Sequence, residues 1–380
     1  MPEAFGLYIH WPFCQAKCPY CDFNSHVARH IDQKRWLAAY VAEIARVGAL
    51  TKGRTLTSVF FGGGTPSLMD PETVDRIMAA VRAMWPLSNS IEVTLEANPT
   101  SIEAGRFRGY QQAGVNRISM GIQALNDADL RALGRLHTVD EGLAAFETAR
   151  DIFDRVSFDL IYARQGQGVA DWTAELERAL VLGLDHLSLY QLTIEDGTAF
   201  GDRYAIGNLR GLPDEDLAAD LYEVTQEVCD KASLKAYEVS NHAKEGYESA
   251  HNLTYWRYQD YAGIGPGAHG RLTINGVKYA TETSLAPGRW LEDVEATGSG
   301  ESPRLPLTAK EQWAERLLMG LRLSEGVYLD RDDASIARLF YNKINTLCNM
   351  GFVTFDGHTL AATPVGRPVL NGVLRSLLED

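Results

Sequence analysis

Over the first two hundred residues of the chain, the spacing of hydrophobic positions alternates regularly between two patterns. Short apolar runs, typical of buried strands, alternate with longer segments whose apolar residues recur every three or four positions, as in amphipathic helices. The predicted strands cover residues 7–11, 56–61, 91–95, 115–121, 156–161 and 186–190. The predicted helices cover residues 33–50, 71–84, 102–112, 140–150 and 171–182, with Asp70 at the N-cap position of the second.

This alternation predicts an α/β protein with about six βα units. Repeated βα units form a parallel sheet with right-handed crossovers, and the chemistry of such sheets lies at the carboxyl ends of the strands. Periodicity leaves open whether the sheet closes into a full or partial barrel or stays open and doubly wound. The distinctive residues follow or lie within these strands, as expected, and they are Cys14, the glycine run 62–64 with Thr65, Glu96 and Gln123 after strands and Asp159 within the fifth.

The pattern changes after residue 190. A helix is predicted over 216–231, and the aromatic and glycine-rich stretch 237–279 predicts short strands and loops. Residues 296–306 have the composition of a linker, and the helices and the strand pair around Asp356 that follow resemble a winged-helix unit. We therefore expect a core at 1–235, an accessory strand and loop region at 236–303 and a C-terminal helical, winged-helix-like domain at 304–380.

Composition narrows the classes of partner and compartment. The chain has 380 residues, of which 45% are hydrophobic and 23% charged, as in globular proteins, and its net charge of -14 disfavours nucleic acid as a partner. The first residues lack a signal-peptide pattern, and no apolar stretch is long enough to span a bilayer, so we expect a cytoplasmic protein. Cys229 and Cys348 stand alone in the sequence and are expected to be small buried residues.

Cys14, Cys18 and Cys21 lie within eight residues of each other, directly after the first predicted strand. Three thiolates at this spacing suit an iron–sulfur cluster, and a [4Fe-4S] cluster held by three cysteines keeps one iron open. The residues alone also allow a zinc site with His10 or His26 as the fourth ligand, or a purely structural group of cysteines.

The spacing Cys-x3-Cys-x2-Cys, with Tyr20 before the last cysteine, resembles the signature of the radical S-adenosylmethionine (SAM) superfamily. The run Gly62-Gly63-Gly64-Thr65-Pro66-Ser67 is similar to the glycine motif of that superfamily, although alone it would also fit an ordinary turn. The resemblance implies a partial parallel (β/α)6 TIM-like barrel and SAM bound at the open iron. The SAM contacts that it implies are Tyr8, Tyr20, Gly63, Gly64, Thr65, Glu96, Gln123, Arg135 and Asp159.

Within the superfamily the chain resembles the coproporphyrinogen-oxidase-like group along essentially its whole length. The oxygen-independent oxidases of that group carry a further cysteine two positions after the third, whereas Phe23 stands here, as in the heme chaperone branch. The segment His251-Asn252-Leu253-Thr254-Tyr255-Trp256 resembles a motif of that branch that is linked to heme. His251, Asn252, Tyr255 and Trp256 are therefore candidate heme contacts; without the resemblance, a structural histidine in an aromatic cluster is the simpler interpretation.

The resemblance implies a protein that binds a [4Fe-4S] cluster, SAM and heme and passes heme to acceptor proteins, including membrane-associated respiratory proteins. The alternative is a radical SAM enzyme, similar to coproporphyrinogen III oxidase, that cleaves SAM to a 5'-deoxyadenosyl radical. Cleavage would require an electron donor such as a flavodoxin. The sequence leaves open whether the protein is a monomer or a homodimer. It departs from the group at Gln165, where a proline is usual, and we expect a looser rim turn there.

Overall fold

The computed structural model describes residues 4–100, 104–329 and 334–379, except for the side chains of 334–339. Up to residue 191 the strands are β1 (Phe5–Trp11), β2 (Phe13–Cys14), β3 (His26–Val27), β4 (Leu56–Gly63), β5 (Leu87–Ala97), β6 (Arg117–Gln123), β7 (Arg155–Tyr162) and β8 (His186–Gln191). The helices up to residue 231 are α1 (Gln33–Leu50), α2 (Pro71–Met84), α3 (Phe107–Ala113), α4 (Asp127–Ala132), α5 (Val139–Arg150), α6 (Val169–Leu180), α7 (Ala199–Ala205) and α8 (Glu215–Lys231).

The six predicted strands form a parallel sheet in the order β1, β4, β5, β6, β7, β8. The prediction of an α/β fold built from βα units is confirmed. The predicted helix over 102–112 is observed as α3, and its first two residues lie outside the described residues. Asp70 occupies the N-cap position of α2, but its side chain makes no capping bond and instead lies 3.7 Å from Arg106.

The accessory region contributes to the main sheet as well as packing beside it. It contains β9 (Lys235–Ala236), β10 (Asn241–Ala243), α9 (Ala250–Trp256), β11 (Asp260–Ile264), β12 (His269–Ile274), β13 (Val277–Glu282), α10 (Pro287–Thr297) and β14 (Leu305–Pro306). β11 pairs in parallel with β1, which the sequence pattern did not predict. The sheet then continues through antiparallel pairs to β14 on one side and β9 on the other, so its parallel part is a partial barrel.

The C-terminal module has its own hydrophobic cluster, which includes Trp313, Leu317, Ile344, Leu360 and Leu374. Its elements are α11 (Ala309–Gly320), β15 (Val327–Tyr328), α12 (Ala334–Asn349), β16 (Val353–Phe355), β17 (Thr359–Ala362) and α13 (Leu370–Leu378). The three strands form a small antiparallel sheet in the order β15, β17, β16. This arrangement agrees with the winged-helix-like order expected from the sequence.

The two faces of the parallel strands differ in polarity. Along β1, Leu7, Ile9 and Trp11 are fully buried in the main hydrophobic cluster, whereas Tyr8 and His10 alternate with them and point to the opposite face. The concave face of the partial barrel is therefore partly polar. Within the described residues, no helix has the length and apolar character needed to cross a membrane.

Candidate functional site

A cavity of about 990 Å³ lies at the carboxyl ends of the parallel strands. β4, β5, β6, β7 and β8 each contribute lining residues, and the loop after β2, α8 and the C-terminal module supply the other walls. The structure thus brings together residues that lie between Cys14 and Asn371 in the sequence. The predicted cluster and SAM residues that line the cavity are Cys14, Cys18, Tyr20, Cys21, Gly63, Gly64, Thr65, Glu96, Gln123, Arg135 and Asp159.

The three cysteines line one end of this cavity as free thiols. The Thr65 hydroxyl lies 3.4 Å from Cys14 Sγ, and Arg135 Nη1 donates to Cys18 Sγ at 3.4 Å. Burial raises the pKa of the Cys14 thiol, an effect that the Thr65 hydroxyl partly offsets. Hydrogen-bond donors beside a sulfur stabilise the thiolate form that ligates iron, so the donor set fits a [4Fe-4S] cluster.

The zinc alternative finds little support in this geometry. His10 Nε2 donates to the Asn24 carbonyl at 2.9 Å, and its Nδ1 accepts from the Tyr8 hydroxyl at 3.0 Å, so both ring nitrogens are used. His26 Nε2 bonds Asn24 Oδ1 at 3.1 Å. Among the described residues, no three His, Cys, Asp or Glu side chains converge as the ligands of a single ion must. Cysteines that bind different irons of a cluster need no such convergence.

The glycine run lets β4 approach the cysteine loop closely. A Cβ on Gly63 would lie 2.6 Å from the His10 ring, and one on Gly64 would lie 2.7 Å from the Phe13 carbonyl oxygen. Gly63 also has a φ of +112°, which favours glycine. The Gly64 and Thr65 amides donate to the carbonyls of Trp11 and Phe13 at 2.7 and 2.8 Å. These contacts fix the loop beside Cys14.

Two buried carboxyl groups face the cavity from neighbouring parts of the sheet. Burial, and after it the negative charge of Asp159, raise the pKa of Glu96 to about 8, although Glu96 Oε2 accepts from the Gly63 amide at 3.1 Å. Burial also raises the pKa of Asp159 to about 6. Among the described residues, neither carboxylate forms a salt bridge, and carboxylates removed from water without a counter-charge are costly, so this part of the cavity favours a cationic ligand. SAM, with its sulfonium and ammonium groups, fits this requirement.

Gln123 ends β6, and Arg135 lies in the turn between α4 and α5; both line the cavity with these acids. Arg135 Nη2 donates at 2.8 Å to both Asn98 Oδ1 and the Gly121 carbonyl, whereas its buried Nε has no hydrogen-bond partner among the described residues. Gln123 has a φ of +74°, and β6 and β7 shift register between Met120 and Gln123. Such backbone strain in a residue other than glycine is concentrated at functional sites.

The two predicted aromatic contacts occupy different places. Tyr20 lines the cavity and packs on Phe200, with a ring-centroid distance of 6.4 Å, and the Phe200 amide donates to the Pro19 carbonyl. Helix α7 therefore supports the cysteine loop. Tyr8 is not among the lining residues described; it lies deeper in the partial barrel, where its ring packs against both Phe60 and His251. Its contact with SAM stays a prediction.

The histidine motif lies away from the cavity. His251 is 4% exposed, its Nδ1 bonds the Ser58 hydroxyl at 3.0 Å, and its ring stacks on Phe60 at 5.1 Å. Burial lowers its pKa to about 4. This is the environment of a structural histidine, and a heme-ligand role for it stays a prediction. The other residues of the motif, Asn252, Tyr255 and Trp256, share helix α9, and Trp256 reaches a second cavity of about 350 Å³.

The rim turn after β7 differs from the expectation. The Gln165 side chain donates to the Arg210 carbonyl, and the Gly166 amide donates to the Gly211 carbonyl at 2.7 Å. The turn is therefore tied to the 210–211 segment rather than loosened. Sequence reasoning also missed Tyr222, Arg322 and Arg367, which line the same cavity. These three residues lie far along the chain from the predicted cluster and SAM residues, so no local sequence pattern indicates that they share the cavity.

Two family models match the chain. The radical SAM superfamily matches residues 8–179, and the HemN C-terminal domain matches residues 307–369. Among solved structures, coproporphyrinogen III oxidase (HemN) from Escherichia coli is similar with a TM-score of 0.83 at 21% identity, covering 99% of this chain and 90% of that chain. This similarity confirms the fold.

Curated proteins with two different names are similar in sequence to this chain over most of their length. Heme chaperone HemW from Escherichia coli is 40% identical over 77% of this chain and 79% of its own, and HemW from Bacillus subtilis is 32% identical over 99% of both. Radical S-adenosyl methionine domain-containing protein 1, mitochondrial, from Bos taurus is 38% identical over 99% of this chain and 88% of its own.

Proposed function

Since the chain belongs to the radical SAM superfamily and, within it, to the HemW family, we propose that it is a heme chaperone, which binds heme and delivers it to acceptor proteins. The observation that carries this proposal is the similarity to HemW proteins across both the sheet domain and the C-terminal module. Phe23, on the cavity wall where the oxidase branch has a cysteine, agrees with it.

Cys14, Cys18 and Cys21 would hold a [4Fe-4S] cluster, and Glu96, Asp159 and Arg135 would bind SAM beside it. When bound, such a cluster offers an open iron to SAM and can supply one electron to it. The chain's own residues bind and orient the cofactor: Glu96 and Asp159 supply negative charge, and Arg135 can donate its free Nε–H to an acceptor group.

The second candidate function is that of a radical SAM enzyme, and the size of the cavity supports it. The volume of about 990 Å³ lies at the upper end of the range for small-molecule sites, so SAM leaves room for a further ligand. In this case the protein would cleave SAM reductively and act on a substrate held beside it. An electron donor such as a flavodoxin would then be a partner.

The deciding experiment starts from anaerobically reconstituted protein with cluster and SAM. We expect saturable binding of heme, followed by absorbance, and transfer of bound heme to an apo-hemoprotein mixed with the loaded protein. Absence of saturable heme binding would refute the chaperone function. Conversion of coproporphyrinogen III to protoporphyrinogen in the presence of SAM and reductant would establish the enzyme instead.

The proposal also includes the cellular compartment and the partners of the protein. We place it in the cytoplasm, where reducing conditions preserve thiolate ligands, and we expect the heme acceptors to include membrane-associated respiratory proteins. Gel filtration with and without heme would decide between a monomer and a homodimer. Nucleic acid is not an expected partner, because the chain carries a net charge of -14.

A further inference from the structure

The main cavity has a wall that the cluster and SAM residues do not use. This distal wall is formed by Tyr222 on α8, Val239, Arg322, Arg367 and Leu370. Three of these residues come from the C-terminal part of the chain. The wall thus belongs to the same cavity as the cofactor residues, but to a different part of the fold.

Charge is distributed unequally between the two ends of the cavity. The cofactor end carries the buried acids Glu96 and Asp159, whereas the distal wall carries the guanidinium groups of Arg322 and Arg367. Glu215 also lines the distal side, but it is exposed on the first turn of α8. The cofactor end therefore suits a cation, and the distal wall suits an anion.

The hydrogen-bonding groups of the distal wall are incompletely used. Among the described residues, no carboxylate forms an ion pair with Arg367, while Arg322 Nη2 donates to Glu238 at 3.3 Å. Within the described part of the chain, the buried Arg322 Nε has no hydrogen-bond partner, and the Tyr222 hydroxyl interacts with the neighbouring Arg367 without a hydrogen bond of ordinary length and geometry. Buried donors of this kind call for an acceptor, and a carboxylate supplies two oxygens to a guanidinium.

Apolar side chains surround these donors. Val239 and Leu370 belong to the distal wall, and Leu192 and Tyr190 also line the cavity. An apolar surface with two guanidinium groups matches a flat, largely apolar molecule that carries carboxylates at one edge. Heme has this chemistry, because its two propionates project from one side of the macrocycle.

We propose that Arg322, Arg367 and Tyr222 form a carboxylate subsite that binds the heme propionates in the main cavity. The proposal rests on the proposed function and places heme on the distal wall, facing the cofactor end, rather than on His251. Arg367 and Tyr222 contact the propionates directly. Arg322 supplies its Nε–H and its charge from the side of Glu238.

The histidine motif then acquires a positioning role. The Trp256 ring lies under the Arg322 guanidinium, with 4.7 Å between the ring centroid and Cζ. Together with Glu238, this cation–π contact fixes the direction of Arg322. Trp256, the last residue of the motif, is thus a positioning residue for the subsite and touches no propionate itself.

The test compares heme with heme dimethyl ester, in which both propionate charges are removed, on reconstituted protein with SAM. Arg367→Gln removes the unpaired charge, and we expect it to weaken heme binding about 10-fold, equivalent to about 1.4 kcal/mol. The ester should bind wild type about 10-fold more weakly than heme, and the variant should discriminate much less between the two. Arg375→Gln is the matched control, because Arg375 is exposed on α13 outside the cavity.

The outcomes separate the subsite from the function. If wild type shows no saturable heme binding, the chaperone function and the subsite are both refuted. If wild type binds heme but binds the ester equally well, and Arg367→Gln changes neither affinity, the subsite alone is refuted. Retained SAM affinity and cluster absorbance in the variant will show that it is folded.

A second pair of variants tests the positioning role. Trp256→Leu removes the aromatic face under Arg322, and we expect it to reduce discrimination between heme and the ester. Trp256→Phe keeps an aromatic face and should restore most of that discrimination. Equal discrimination by wild type, Trp256→Leu and Trp256→Phe would show that Trp256 does not position Arg322.

Discussion

The cysteine loop and the histidine motif both bring metal-binding residue types together at short spacing, but the fold treats them differently. The loop follows β2 at the carboxyl end of the sheet, where its thiols line the cavity. His251 lies on α9 inside the partial barrel, bonded to Ser58 and stacked on Phe60. One group is left available for a ligand, and the other is satisfied by the protein.

The difference shows that position in the fold decides what a motif can do. Side chains at the carboxyl ends of parallel strands face a shared cavity, whereas those within the barrel must satisfy one another. Ser58, Glu92 and Phe60 supply His251 with that environment: Glu92 accepts from the His251 amide at 3.1 Å. Substitutions in each motif test whether it has the role that its position indicates.

Cys18→Ser should have the largest effect, because it removes one of three thiolates and, with it, the partner of Arg135 Nη1. We expect loss of cluster assembly, measured as visible absorbance and as iron and sulfide content after anaerobic reconstitution. Cys348→Ser, outside the cavity, is the control and should assemble normally. Near-stoichiometric zinc with no iron or sulfide in wild type would instead support a zinc site.

His251→Ala should reduce the free energy of unfolding by about 2–4 kcal/mol, because it empties a packed ring site and leaves the Ser58 hydroxyl without its partner. Denaturant unfolding measures this change, with the exposed His358→Ala as a control expected to cost under about 0.5 kcal/mol. The heme absorbance maximum of the folded variant should match wild type. A shifted maximum at unchanged stability would make His251 a heme ligand.

The sequence predicted the cofactor end of the cavity more completely than the distal wall. Cys14, Glu96 and Asp159 follow or lie within strands whose apolar runs are easy to recognise, and parallel strands bring their ends together. Arg322 and Arg367 reach the same cavity because the C-terminal module packs against α9, where the Arg322 guanidinium lies over the Trp256 ring, and no periodicity encodes that contact. The parallel pairing of β11 with β1 was not predicted for a similar reason, since the five residues of β11 alternate in burial and begin with the ion-paired Asp260.

Glu96→Gln tests the claim that the cofactor end binds a cation. Because burial raises the pKa of Glu96 to about 8 in the protein without SAM, the carboxyl group must lose its proton to pair with SAM. Wild-type SAM affinity should therefore rise as the pH increases toward 8, whereas the variant should bind at least about 10-fold more weakly and with a flatter pH profile. Equilibrium dialysis across this range measures both, and the exposed Glu215→Gln serves as the control.

The same residue predicts a pH dependence of stability with a definite sign. A carboxyl group whose pKa is raised in the folded state above the ordinary 4.5 binds more protons when folded, so stability falls as the pH rises from about 4.5 through about 8. Relative to Glu96→Gln, ligand-free wild type should become progressively less stable over this interval. Parallel stability curves for the two proteins would show that Glu96 already has a partner in the absence of SAM.

Gln123→Gly should have the smallest effect on stability. The variant distinguishes the effect of backbone strain at this position from the effect of the side chain on SAM binding. Gln123 has a φ of +74°, so glycine relieves backbone strain, but it also adds freedom to the unfolded chain. We expect a net change of at most about 1 kcal/mol in unfolding free energy, together with weaker SAM binding because the amide is lost from the cavity. Asn275→Gly, at a φ of +51° in the turn between β12 and β13, should match the first effect without the second. Equal SAM affinities in both variants would mean that the strain at Gln123 shapes the strand end and that its side chain does not contact SAM.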